Sequence, residues 1–268
     1  MLYFYIPLVL LTIFLIYMRF EASWLDVSRI YISEKEYNLK VILLSDIHIG
    51  RLKVSPDRIR KVIHDEKPDI VILTGDYIEH VKQMPSFLEF LHKINAVGNM
   101  YLCLGNHDYK TFIRSKSGLD SYINAIESAG ANIMHNRCVC IEKNSRKYNL
   151  VGIADMRYNR HDIDLAFKNC CNDADLSIGF SHNPDIALKI PKGKLDYLLC
   201  GHFHGGQIWA PFDLEFKVLR NEKLCKMGIK SGLHRVGEVN LYISRGLGNV
   251  CFPLRFLSRP EITVFYLP

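Results

Sequence analysis

The polarity pattern opens on residues 1–18, MLYFYIPLVLLTIFLIYM, which carry no charged side chain and are broken only by Pro7 and Thr12. An apolar stretch of that length predicts a helix able to span a hydrocarbon layer. Residues 1–19 are therefore read as a transmembrane anchor and 20–268 as the domain it carries. A cleaved signal peptide fits less well: no Lys or Arg precedes the run, and Ala22-Ser23 is a poor cleavage site. After the anchor, the β-branched and aromatic residues at 27–32 predict a strand. Mostly apolar runs follow at 40–45, 69–74 and 100–104, separated by helix-like stretches at 55–66 and 86–94, with another at 119–128. Ser55 supplies an N-cap and Pro56 the first helical position. In each run apolar residues stand at successive rather than alternate positions, which predicts strands buried on both faces. The second half is richer in strands, at 138–141, 149–153, 176–180, 197–200, 241–244 and 262–266, with helices at 161–168 and after Pro184. The predicted fold class is α/β: a two-sheet β-sandwich flanked by helices, with no linker or repeat dividing residues 20–268.

Composition adds exclusions. With 49% hydrophobic and 23% charged residues, the chain is neither disordered nor collagen-like. The formal charge of +6 belongs entirely to residues 19–268. Arg19, Arg29, Lys35 and Lys40 follow the anchor and no basic residue precedes it, which predicts a single-pass protein of the cell membrane with its domain on the cytoplasmic side. The eight cysteines fit free thiols in a reducing compartment, because a chain of this length needs no disulfide framework. Cys138 and Cys140 are read as two thiols on one strand face rather than as a soft-metal site. Lys217, Arg220, Lys223, Lys226, Lys230 and Arg235 share nineteen residues with a single acid, Glu222, beside Phe212, Leu214 and Phe216. That segment is either a flap for a phosphate-bearing lipid or an anionic bilayer, or a solvated loop. The modest charge and the lack of a long basic stripe argue against a duplex nuclease and against a stable nucleic-acid partner.

The chemistry lies where the strands end. The first three runs lead into Asp46-Ile47-His48, Gly75-Asp76 and Gly105-Asn106-His107-Asp108. Two later ones lead into Ser181-His182 and Gly201-His202-Phe203-His204. The carboxyl edge of an open α/β sheet is where such folds build sites. Carboxylate, imidazole and amide oxygen suit borderline metals such as Mn, Fe and Zn. Seven candidate ligands, Asp46, His48, Asp76, Asn106, His182, His202 and His204, are too many for one four-coordinate ion. They suit two divalent ions, Mn foremost, if Asp76 bridges. Such a pair clamps the attacking and leaving oxygens of an in-line displacement. His107 is left for proton work, to stabilise developing charge or to protonate the leaving oxygen, and Asp108 is its expected orienting partner, raising its pKa.

These ordered motifs resemble those of calcineurin-like metallophosphoesterases across residues 40–207. Gly205-Gly206-Gln207, residues 242–248 and Arg259-Pro260-Glu261-Ile262 resemble the membrane-anchored bacterial branch of that superfamily. The resemblance implies that Asp46, His48, Asp76 and His204 hold one ion and that Asp76, Asn106, His182 and His202 hold the other. The function expected is a phosphodiesterase or pyrophosphatase; the anchor, which concentrates substrates already in the membrane, points to a lipid-linked one, and the related branch implies UDP-2,3-diacylglucosamine as a candidate. Gly75-Asp76 continues as Tyr77-Ile78-Glu79-His80, and Asp108 follows His107, which departs from the phosphoprotein phosphatase pattern. Arg245, after a strand and beside Gly246, is expected to reach a substrate phosphate. Competing readings are a nuclease or cyclic-nucleotide phosphodiesterase, and a catalytically silent membrane-bound scaffold.

Overall fold

The computed structural model describes residues 2–32, 37–94 and 99–268, with side chains in the first helix from Tyr5 onward. Helix α1 (Leu2–Glu21) leads into strand β1 (Asp26–Tyr31). Then β2 (Leu39–Leu44), α2 (Pro56–Glu66), β3 (Ile70–Thr74), α3 (Met84–Ile94) and β4 (Met100–Cys103) alternate as the sequence predicts. Helices α4 (Asn106–Thr111) and α5 (Lys116–Ser128) lead to the short β5 (Asn132–Ile133). The second half contains β6 (Arg137–Lys143), β7 (Arg146–Gly152), α6 (Ile163–Phe167), β8 (Leu176–Phe180) and β9 (Tyr197–Cys200). It closes with α7 (Leu214–Leu219), α8 (Lys223–Lys226), β10 (Gly232–Val236), β11 (Val239–Ile243) and β12 (Glu261–Leu267).

The strands form two six-stranded sheets, ordered β1-β12-β2-β3-β4-β5 and β10-β11-β9-β8-β7-β6. Strand alternation explains how both faces are buried. On β2, Val41 and Leu43 enter the core between the sheets, where they meet Tyr148, Ile178, Phe180 and Phe265. Ile42 and Leu44 turn outward to a second core under α2, α3 and α5, with Ile59, Ile63, Phe87 and Tyr122. A third core, with Ile153, Ala166, Leu198, Phe216 and Leu224, covers the outside of the second sheet. The result is a helix–sheet–sheet–helix sandwich. Strands β2, β3 and β4 are mutually parallel, as are β7, β8, β9 and β11, so the carboxyl ends within each set share an edge.

The anchor requires correction. Among the described residues no helix is long and apolar enough to cross a membrane. The carboxyl end of α1 is taken up by the domain: Met18 is buried, the Arg255 amide donates to its carbonyl, and the ring of Phe256 meets Phe14 at 5.0 Å and Tyr17 at 6.3 Å. Spanning about 30 Å of hydrocarbon takes about 20 residues, and the docked turns are not available for it. Residues 5–17 nevertheless expose their side chains. Lys35, counted in the basic flank, lies outside the described residues.

The thiols also differ from expectation. Cys138 and Cys170 form a disulfide that ties β6 to the segment after α6. Cysteines 32 positions apart carry no spacing signal; β6 and α6 meet only when the second sheet is folded. Cys140 and Cys171 are free.

Candidate metal centre

Every predicted ligand lies at the shared edge of the two sheets and is buried. Five of the seven adopt a left-handed backbone: Asp46 (φ 51°), His48 (38°), Asp76 (56°), His202 (74°) and His204 (53°). Each strand makes a sharp turn at its end, and that turn aims the side chain back over the edge. Non-glycine residues pay a steric penalty there, tolerated when the surroundings fix the conformation, and such residues cluster at functional sites. Here the fixing contacts are backbone hydrogen bonds between strand ends, including Asp46 N–H to Gly75 O at 3.1 Å, His48 N–H to Asp76 O at 2.9 Å and Gly248 N–H to Asp46 O at 2.7 Å.

Among the described residues the predicted ligands form two groups whose ligand atoms lie within 4.8 Å of one another, Asp46, His48 and His204, and Asp76, His182 and His202, and a third group joins His48 to Glu79 and His107. His204 Nε2 is 3.3 Å from Asp46 Oδ1. His182 Nε2 is 3.1 Å from both Asp76 Oδ2 and Asn106 Oδ1, which brings the amide into the second group. His48 Nε2 is 3.8 Å from the same Asp76 oxygen. Asp76 thus stands between the groups, where a bridging carboxylate has to be.

The donor set fits divalent ions on two observations. Neither ring nitrogen of His48 nor Nδ1 of His204 has a hydrogen-bond partner among the described residues, although all are buried. Leaving such atoms unpaired is costly unless something else binds them. Burial pushes the imidazole pKa values of His48 and His204 down, so both rings are neutral and available as ligands. Asp76 and His182 behave as a charged pair. Burial alone would raise the Asp76 carboxyl, but His182, with His107 and His48, pulls it well below the carboxylate range. Burial opposes protonation of His182, yet Asp76 raises it. A cation can replace that proton.

The neighbours of the ligands contradict part of the sequence reading. Asp108 does not orient His107. Its carboxylate accepts from the amides of Asp76 (2.9 Å), Tyr77 (3.0 Å), Ile78 (3.2 Å) and Gly105 (3.0 Å), pinning the second and third motifs together. Burial, followed by the charge of Asp76, raises Asp108 to about 7. His107 faces Glu79 instead, with Nδ1 3.8 Å from Oε1, and the same oxygen lies 3.4 Å from His48 Nδ1. Arg51 pairs with the other Glu79 oxygen. Burial lowers His107 to about 4, the reverse of the expected rise.

Glu222 was also missed. Its carboxylate accepts from His202 Nε2 at 2.8 Å, while Arg220 Nη2 donates to the His202 carbonyl at 2.7 Å. Its signal was its isolation as the only acid in a basic stretch. Arg245 is not free for a phosphate: Nη2 pairs with Asp26 at 2.6 Å and Glu261 at 3.1 Å, tying β1 to β12. Arg157 and Arg220 line a cavity of about 440 Å³ over Asp76, Asn106, His202 and His204. The outer wall of that cavity is apolar, with Ile208, Phe216, Leu219, Val250 and Phe252.

The chain matches the calcineurin-like phosphoesterase family over residues 39–206. It is 33% identical to an uncharacterized metallophosphoesterase, YkoQ, of Bacillus subtilis over 84% of this chain and 82% of that one. It is 28% identical to the phosphodiesterase YaeI of Escherichia coli over 94% of this chain and 92% of that one. Among solved structures, the sulfate thiohydrolase SoxB of Thermus thermophilus shares the fold with a TM-score of 0.55 at 11% identity, covering 89% of this chain and 58% of that one.

Proposed function

As the chain belongs to the calcineurin-like phosphoesterase family and is a metal-dependent phosphoesterase, we propose that it hydrolyses a phosphodiester or pyrophosphate bond in a lipid-linked substrate. Asp46, His48, Asp76 and His204 would hold one divalent ion; Asp76, Asn106, His182 and His202 would hold the other. The absence of thiolate from this donor set favours manganese, with iron or zinc as alternatives. When bound, the ions supply positive charge to phosphoryl oxygens and ionise water near neutral pH.

The chain's own residues do the rest. Arg157 presents a guanidinium group to the cavity that matches phosphate oxygens, while Arg220, whose Nη2 is spent on the His202 carbonyl, adds positive charge to the same wall. His107 stands 25% exposed beside Asp76, where its neutral ring offers an N–H to a phosphoryl oxygen and stabilises the developing negative charge. Glu79 lies 3.8 Å from His107 Nδ1 and places a negative charge on that side of the ring.

The observation that carries the lipid-linked reading is the apolar outer wall of the cavity. Leu219 is 77% and Phe252 68% exposed, and both sit at the mouth of a charged centre. Exposed aromatic and aliphatic side chains at such a mouth suit a substrate with an acyl chain, such as UDP-2,3-diacylglucosamine. The wall continues toward α1: Trp209 N–H donates to Phe256 O at 2.9 Å, and Phe256 carries Phe14 and Tyr17. We place α1 and this wall against the lipid surface of the cell membrane, with α1 lying in the interface.

Manganese-loaded protein is expected to hydrolyse bis(4-nitrophenyl) phosphate. Asp76→Ala is expected to abolish that activity, and His107→Ala to lower kcat about a hundredfold or more. An acylated pyrophosphate substrate is expected to show higher kcat/KM than its deacylated form, with the difference reduced in Leu219→Ser and Phe252→Ser. No turnover of any diester by the metal-loaded protein would end the reading.

A further inference from the structure

A second cavity, of about 490 Å³, lies beyond His107 and is formed with Glu79, His80, Val81, Lys110 and Thr111. His107 is the one residue that lines both cavities. Its imidazole thus stands between an apolar-walled chamber on one side and a polar chamber on the other.

The charges of the second chamber are unevenly committed. The Glu79 carboxylate is paired with Arg51, and its other oxygen faces His48 Nδ1 at 3.4 Å and His107 Nδ1 at 3.8 Å. Thr111 Oγ1 donates to the His107 carbonyl at 3.0 Å, which holds the end of α4 against that histidine. The Lys110 ammonium and the His80 ring have no hydrogen bond or ion pair among the described residues, and both are exposed. The chamber therefore offers an unpaired cation in the same cavity as His107, with its own acid already paired to Arg51.

We infer that this second cavity is the leaving-group subsite and that it takes a leaving group carrying its own negative charge, a phosphate monoester released from a pyrophosphate bond. The inference rests on the phosphodiesterase reading and deepens it. Water adds to the phosphorus of the retained half and keeps one proton on the new P–O–H oxygen, while its other proton goes to solvent. The bridging P–O bond breaks with its electron pair staying on the departing phosphate, which leaves as an anion. His107 is the residue the two cavities share, so a group departing from the metal centre past His107 enters the second one. The apolar chamber suits the retained, chain-bearing half, and the Lys110 chamber suits the departing anion.

The test uses the full-length, manganese-loaded protein and two probes, diadenosine 5′,5′-pyrophosphate and bis(4-nitrophenyl) phosphate. The first releases adenosine monophosphate as an anionic group; the second releases nitrophenol. In Lys110→Ala the ratio of kcat/KM for pyrophosphate over aryl diester is expected to fall about tenfold, and Lys110→Arg to restore it, as expected for loss and return of a charge-assisted contact. Calorimetric affinity for adenosine monophosphate is expected to weaken by a similar factor in Lys110→Ala. An unchanged ratio together with unchanged nucleotide affinity would overturn the subsite, as would cleavage of the aryl diester but not of the pyrophosphate by the unaltered protein. If the unaltered protein cleaves neither, the phosphodiesterase reading fails, and nucleotide affinity alone decides the subsite.

Discussion

A methyl group added at Gly105 would collide with the Asp76 carboxylate and with its backbone nitrogen. The residue before Asn106 is glycine because the bridging position of the centre is packed directly against it. Gly105→Ala is therefore expected to shift Asp76 and lower kcat about a hundredfold, the usual cost of displacing a reacting group by about 1 Å. Circular dichroism should show the fold retained, and metal analysis should show weaker retention. The same scale explains why the reading of Asp108 went astray. His107 and Asp108 are neighbours in sequence, but both lie on α4, where successive side chains point about 100° apart. Asp108 turns inward to the amides of the second motif, and His107 turns out to Glu79. Adjacent residues on a helix are poor partners, and no spacing rule could have paired positions 79 and 107.

At the scale of elements, the loop after β11 is built around Arg255. Its guanidinium is fully buried and donates to the carbonyls of Arg245 (3.0 Å), Gly246 (3.1 Å), Gly248 (2.5 Å) and Ser258 (2.8 Å) and to Asn249 Oδ1 (3.3 Å). The loop in turn supports Asp46, since Gly248 N–H donates to the Asp46 carbonyl. Arg255→Met removes the guanidinium donor from all of these acceptors, of which, among the described residues, only the Gly246 carbonyl is also bonded by the Glu261 amide, and is expected to cost about 3 kcal/mol or more in chemical denaturation. It should also weaken metal retention without touching a ligand. Arg245 shows the opposite misreading: a lone arginine beside glycines looked like a phosphate contact but serves to join two strands. Strands β10 and β5 were missed because β10 is only half-buried and β5 is two residues long, so neither carries a continuous apolar run.

For the whole molecule, folding and metal binding are linked. Without an ion, Asp76 holds a proton on His182, whose pKa is raised to about 10. That proton has to leave before the ring can serve as a ligand. Metal uptake at pH 7 is therefore expected to release protons, and apparent affinity is expected to rise with pH. Calorimetry in two buffers of different ionisation enthalpy measures the proton count; equal heats in both would contradict the charged-pair arrangement. Removal of metal by a chelator should lower Tm, because ions that bind only the folded state stabilise it by mass action.

The sequence by itself determined the strands with continuous apolar runs, the two-sheet class and the ligand types. These are local properties: burial on both faces demands apolar residues at every position, and metal ligation demands particular donor atoms at strand ends. Tertiary structure alone decided the rest. It chose Glu79 over Asp108 for His107, gave Glu222 to His202, joined Cys138 to Cys170 and committed Arg245 to Asp26 and Glu261. It also docked the end of the apolar helix against Phe256. Each of these is a contact between residues far apart in the chain, where side-chain direction and the meeting of two sheets, rather than residue type, select the partner.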